Sequence, residues 1–102
     1  MKKYFCRIIS NDFSAETEAK IIHFCRDVLA DFGAENVSFG QMQPYYKIEG
    51  CGETAFTFFA EEKSELEIQK KFASVWQYNV ADARWSEIFC PNTNFIWLEA
   101  DS

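Results

Sequence analysis

Residues 45–60 read Tyr45-Tyr46-Lys47-Ile48-Glu49-Gly50-Cys51-Gly52-Glu53-Thr54-Ala55-Phe56-Thr57-Phe58-Phe59-Ala60. Tyr45 to Glu49 and Thr54 to Ala60 are short runs rich in aromatic and β-branched residues, and the glycines between them supply a tight connection, so the stretch predicts a β-hairpin. The first arm begins upstream at Val37-Ser38-Phe39 and is interrupted over Gly40 to Pro44, which predicts a bulge or loop.

On the N-terminal side, Tyr4 to Ile9 is apolar on both alternating faces, the pattern of a strand deep in a sheet. Ser14 offers a hydroxyl N-cap, Glu16 and Glu18 place negative charge in a first helical turn, and Gly33 stands where a helix ends. The helix between them carries Ile21, Ile22, Cys25, Val28, Leu29 and Phe32 at helical spacing, with Glu16, Lys20, His23, Asp27 and Asp31 opposite. On the C-terminal side, Ser64-Glu65-Leu66-Glu67 fits a capping box and opens a second helix with Ile68, Phe72, Val75 and Trp76 on one face, fading near Asn79. Glu67 and Lys71 lie four residues apart and predict a supporting ion pair. Arg84 to Cys90 and Phe95 to Glu99 read as two further strands around the turn-rich Pro91-Asn92-Thr93-Asn94.

The order is β-α-β-β-α-β-β in a single domain over residues 1–102, an α+β chain whose mainly antiparallel sheet carries two helices on one face, in a ferredoxin-like (split βαβ) variant. Pattern alone leaves open whether the last strand extends a sheet edge and whether the Val37 segment is a strand of its own.

The chain has 102 residues, 10 Lys+Arg and 16 Asp+Glu, a net charge of −6, and 18% aromatic residues. With 48% hydrophobic and 25% charged residues it has the composition of a folded domain rather than a disordered segment. No apolar run approaches the roughly 20 residues of a membrane span, and the opening Met1-Lys2-Lys3 is followed by too short an apolar stretch for a signal peptide. A cytoplasmic location is the expectation. Cys6, Cys25, Cys51 and Cys90 lack metal-ligand spacing, so no metal or other cofactor is expected, and in a reducing compartment they serve as small core hydrophobes. Cys51, between two glycines, reads as the most exposed of them.

His23 is the only histidine. It shares the polar helix face with Lys20 and Asp27, where a loose pairing with Asp27 accounts for it without catalysis. Glu65 and Glu67 are explained by helix capping and the helix dipole, which leaves Glu61 and Glu62 as a solvated patch. Residues 1–50 hold 6 basic and 7 acidic residues and residues 51–102 hold 4 and 9, so five of the six excess negative charges fall in the second half. This balance repels nucleic acid and attracts a basic protein. Phe24, Phe32, Phe56, Phe58 and Phe72 have core positions, whereas Tyr45 and Trp85 alternate with charged residues, as aromatic anchors of an interface do.

An acidic domain of this size with surplus aromatics, a lone histidine and no catalytic set resembles the immunity proteins of bacterial toxin–immunity pairs, the contact-dependent growth inhibition type most of all. The resemblance lies in size, charge and element order over the whole chain. It implies a non-enzymatic inhibitor that binds one cognate toxin domain, often a basic nuclease, and covers its active site or substrate channel in the cytosol. No nucleic acid and no membrane would be bound, and a monomer would form a one-to-one complex. The expected contact surface is acidic, from Glu49, Glu53, Glu61, Glu62, Asp82 and Glu87, with Tyr45, Tyr46 and Trp85 as anchors. Two other classes stay open: a small-ligand-binding or catalytic α+β domain, and a homo-oligomeric module joined through a sheet edge or the C-terminal hairpin.

Overall fold

A computed structural model of the protein describes residues 1–72 and 93–100. Its strands are β1 (Lys2–Ser10), β2 (Glu35–Phe39), β3 (Gln43–Pro44), β4 (Gly52–Ala60) and β5 (Thr93–Ala100); its helices are α1 (Ala15–Asp31) and α2 (Glu65–Phe72), the latter entered through a 3-10 turn at Glu62–Ser64. The strands form an antiparallel sheet in the order β2-β4-β1-β5, and the two-residue β3 also pairs with β4. The chain is thus α+β.

β1 lies in the middle of that sheet, between β4 and β5, but with both helices on one side only its Tyr4, Cys6 and Ile8 face is covered. On the other face Lys3 and Arg7 are exposed and Phe5 is half-buried, so the expectation of a strand buried on both faces holds only at Ile9. Register sets Tyr4 opposite Phe58, Cys6 opposite Phe56 and Ile8 opposite Thr54. All six are buried, so the alternation in the two strands delivers a single apolar face. Aromatic rings tile it: Phe39 stacks on Phe56 at 4.6 Å between centroids, and Phe58 lies 6.0 Å from Phe56 and 5.4 Å from Tyr4. Ile21, Cys25, Val28 and Leu29 of α1 and Ile68 of α2 join the same cluster, which places both helices on that face.

Helix α1 begins where its cap predicts, with Ser14 Oγ accepting from the Thr17 amide at 3.2 Å. It closes with the Ala34 amide donating to the Leu29 carbonyl and the Gly33 amide to that of Ala30, the paired bonds of a Schellman ending. Helix α2 starts one residue after Ser64. Glu67 pairs with Lys70 at 3.4 Å; the side chain of Lys71, its expected partner, lies outside what the structure describes.

The hairpin differs from its sequence reading. Tyr45 to Glu49 do not form a strand: β4 starts at Gly52, where its pairing is already taken by Pro44, and Glu53 is taken by Gln43. The residues that follow Pro44 have run past the end of their partner strand and turn instead. The first arm is therefore split into β2 and β3 by Gly40 to Met42, and Thr93 and Asn94, expected in a turn, belong to β5. The expected helical residues Val75 and Trp76 and the expected strand Arg84 to Cys90 lie outside the described residues.

Gly52 is needed for close approach. A Cβ there would sit 2.8 Å from Met42 Sδ and 3.0 Å from the Asp12 carbonyl oxygen, and Met42 is itself buried. Gly52→Ala is expected to destabilise the fold by about 1–3 kcal/mol, the usual cost of overpacking. Urea denaturation checks this; an unchanged midpoint would mean that the Met42 side chain moves aside freely.

Candidate functional site

Beyond Pro44 the chain makes a compact tip over residues 45–50. The Tyr45 amide donates to the Cys51 carbonyl at 2.9 Å and the Cys51 amide to the Ile48 carbonyl at 3.3 Å, while Gly50 supplies the left-handed φ of +85° that lets the chain return. At the neck of this tip Cys51 is buried, with its thiol 3.9 Å from the Asn11 carbonyl oxygen. The expectation that Cys51 is the exposed thiol is thereby corrected: the neck presses it against the β1–α1 connection. Glu18 anchors the same region, accepting from the Met42 amide at 2.7 Å.

The tip turns its larger side chains outward. Tyr46 is 80% exposed and Ile48 46%, although backbone hydrogen bonds hold the turn that carries them. Half-buried Tyr45 meets Tyr46 edge to face at 5.5 Å, and Lys47 Nζ stands 5.5 Å from the centre of the Tyr46 ring. At the same end of the sheet Phe13, in the β1–α1 connection, is 51% exposed. Phe13, Ile48 and Lys47 were not among the residues expected at an interface. Phe13 did carry a signal: it precedes the Ser14 cap, where an apolar residue usually packs against the fourth residue of the helix, and here that residue is Glu18.

The expected acidic surface is divided. Glu49 stands on the tip, and Glu53, just past the neck, pairs with Arg7 at 3.4 Å. Glu61 and Glu62 follow the far end of β4, where Glu62 pairs with Lys2 at 3.2 Å. Seven strand residues lie between Glu53 and Glu61, eight steps that span about 26 Å at the usual rise. The structure therefore brings Tyr45, Tyr46, Glu49 and Glu53 together and sets Glu61 and Glu62 at the opposite end, beside exposed Met1 and Leu66. Asp82, Trp85 and Glu87 lie outside the described residues. The exposed pairs are individually weak, about 0–1 kcal/mol, so a partner can exchange them for its own charges.

Glu65 has a structural task. Its carboxylate accepts from the Tyr4 hydroxyl at 3.1 Å, tying the first turn of α2 to the central strand. Burial, with the Glu65 hydrogen bond and the nearby Glu65 and Glu62 charges, pushes the Tyr4 phenol up to about 12. The folded state thus holds this proton more tightly than the unfolded chain, whose phenol ionises near 10. The resulting stability is fully present below pH 10 and is lost as pH rises towards 12, in total about 2–3 kcal/mol. Denaturation at pH 9 and pH 12 should show this loss in the native protein and a smaller one in Tyr4→Phe; equal losses would sink the assignment. His23 lies 3.5 Å from Asp27 on the exposed face of α1, as its sequence position suggested.

Among the described residues no group of three or more His, Cys, Asp and Glu is placed to hold a metal ion. No helix among them is long and apolar enough to cross a membrane. No protein-family model matches the chain, and a search of curated proteins finds no match.

Proposed function

We propose that this chain is a non-enzymatic immunity protein that binds a basic toxin domain, a nuclease in the first instance, and neutralises it in the cytosol by covering its active site or substrate channel. The observation that carries this reading is the tip: a turn held by its own backbone hydrogen bonds presents Tyr46 and Ile48 to solvent. A rigid aromatic displayed at such a site contributes binding area at small entropic cost. Charge gives the direction of preference, since a chain of net charge −6 draws a basic partner and repels nucleic acid. The strand order β2-β4-β1-β5 supports a ferredoxin-like frame, in which the β1–α1 connection and the tip share one end of the sheet.

The division of the acidic residues refines the roles. Tyr46, Ile48 and Glu49 make the short-range contact, and Glu61 and Glu62 act through the long-range field. Reversing charge at both Glu61 and Glu62 is expected to slow association several-fold at low salt, with little change in dissociation. Stopped-flow mixing at two ionic strengths checks this, and a faster dissociation would instead put these residues in the contact.

The decisive experiment is co-expression with the product of the neighbouring gene. A one-to-one complex in which that product's toxicity is lost supports the proposal. A product that stays fully active with the chain in excess overturns it.

A further inference from the structure

We propose that the tip is a receptor for an arginine side chain, with the Tyr46 ring face and the Glu49 carboxylate as its two halves and Lys47 as an internal occupant that arginine displaces. The proposal rests on reading the tip as the anchor for a basic protein, but its test needs no toxin. Tyr46 is highly exposed and yet braced, edge-on by Tyr45 at 5.5 Å and with the Lys47 ammonium 5.5 Å from its ring centre. A cation is therefore already placed against the ring, as the negative face of an aromatic favours.

Lysine is a poor permanent occupant of such a site. Its ammonium is compact and strongly hydrated and its stem is flexible, whereas a guanidinium is planar, sheds water more readily, stacks on rings and forks to a carboxylate. Glu49 is three residues from Tyr46, no more than about 10 Å along the chain, and the turn bonds shorten that span further. It forms no ion pair among the described residues, whereas Glu53 and Glu62 already have cationic partners. An incoming guanidinium thus finds on one turn both surfaces it recognises, an aromatic face and an exposed carboxylate.

The test is an amide-shift titration of the 15N-labelled protein with acetylated, amidated Gly-Arg-Gly and, separately, with its Gly-Lys-Gly counterpart. The expected shifts are concentrated at residues 45–50, with the arginine peptide about two- to fivefold tighter. Tyr46→Leu keeps an apolar side chain, removes the ring, and should abolish the preference. Lys47→Met keeps the stem, removes the competing charge, and should tighten the arginine peptide by a similar factor; Glu49→Gln should weaken it and flatten its salt dependence. Equal affinity for the two peptides, a preference that survives Tyr46→Leu, or weaker binding in Lys47→Met overturns the proposal. A toxin complex that forms normally while the peptides show no preference refutes the arginine receptor and leaves the inhibitor reading standing. Peptide selectivity without any toxin binding does the reverse.

Discussion

Phe58→Ala is expected to remove about 3–5 kcal/mol of folding stability, the usual cost of emptying a buried phenylalanine site. Phe58 is fully buried and lies between the rings of Tyr4 and Phe56. Truncation would open a void lined by these two aromatics, which are held in paired strands by the β1–β4 register and so cannot collapse to fill it. Set against the roughly 5–15 kcal/mol that holds a domain together, this loss brings the protein close to unfolding at room temperature. Thermal denaturation should show a midpoint lower by about 15–30 °C. Phe59 is the internal control. It is next in sequence, on the opposite face of β4, and only half-buried, so Phe59→Ala should cost clearly less. Equal losses at the two positions would contradict the assignment of the core to one face of the sheet.

Tyr46→Ala is expected to do the opposite, leaving folding nearly untouched and weakening the proposed complex with a basic toxin domain by at least about 30-fold, or about 2 kcal/mol. The ring has little contact to lose within the free protein, being 80% exposed, and the turn beneath it is held by main-chain hydrogen bonds at Tyr45 and Cys51 that the substitution does not touch. The loss should appear chiefly as faster dissociation, because interface truncations change residence time more than encounter. Surface plasmon resonance with the purified partner and a thermal melt of the variant separate the two effects. A variant that melts normally and dissociates no faster would exclude Tyr46 as an anchor.

These two aromatics illustrate how much of the chain was legible. Phe56 and Phe58 could be assigned to a core because period-two alternation specifies which side chains of a strand share a face. Helix α1 was equally readable, since a capping serine, an apolar stripe and a terminal glycine are local signals and its boundaries follow from local hydrogen bonding. Tyr45 to Glu49 have the composition of a strand and form a turn. Whether such residues pair depends on where β4 begins, and that position lies in another part of the chain. The same non-local fact put Cys51 inside rather than outside, and exposed Ile48.

The acidic surface was legible only as a total. Net charge and its excess beyond residue 50 are sums over sequence, and they count Glu53 and Glu61 as near neighbours. A strand is the most extended form a chain adopts, so β4 carries Glu53 and Glu61 to opposite ends of the sheet. Phe13, far from the tip in sequence, joins Tyr46 at one end because β1 and β4 run antiparallel. By itself, the sequence determined the α+β class, the Ser14 cap and the apolar stripe of α1, the core face of β4 and the sign of the charge, because these rest on residue spacing within one element or on a sum over composition. Only the tertiary structure decided which strand ends meet and so which exposed residues form one surface, because that depends on the register between strands whose paired residues lie about forty to sixty positions apart.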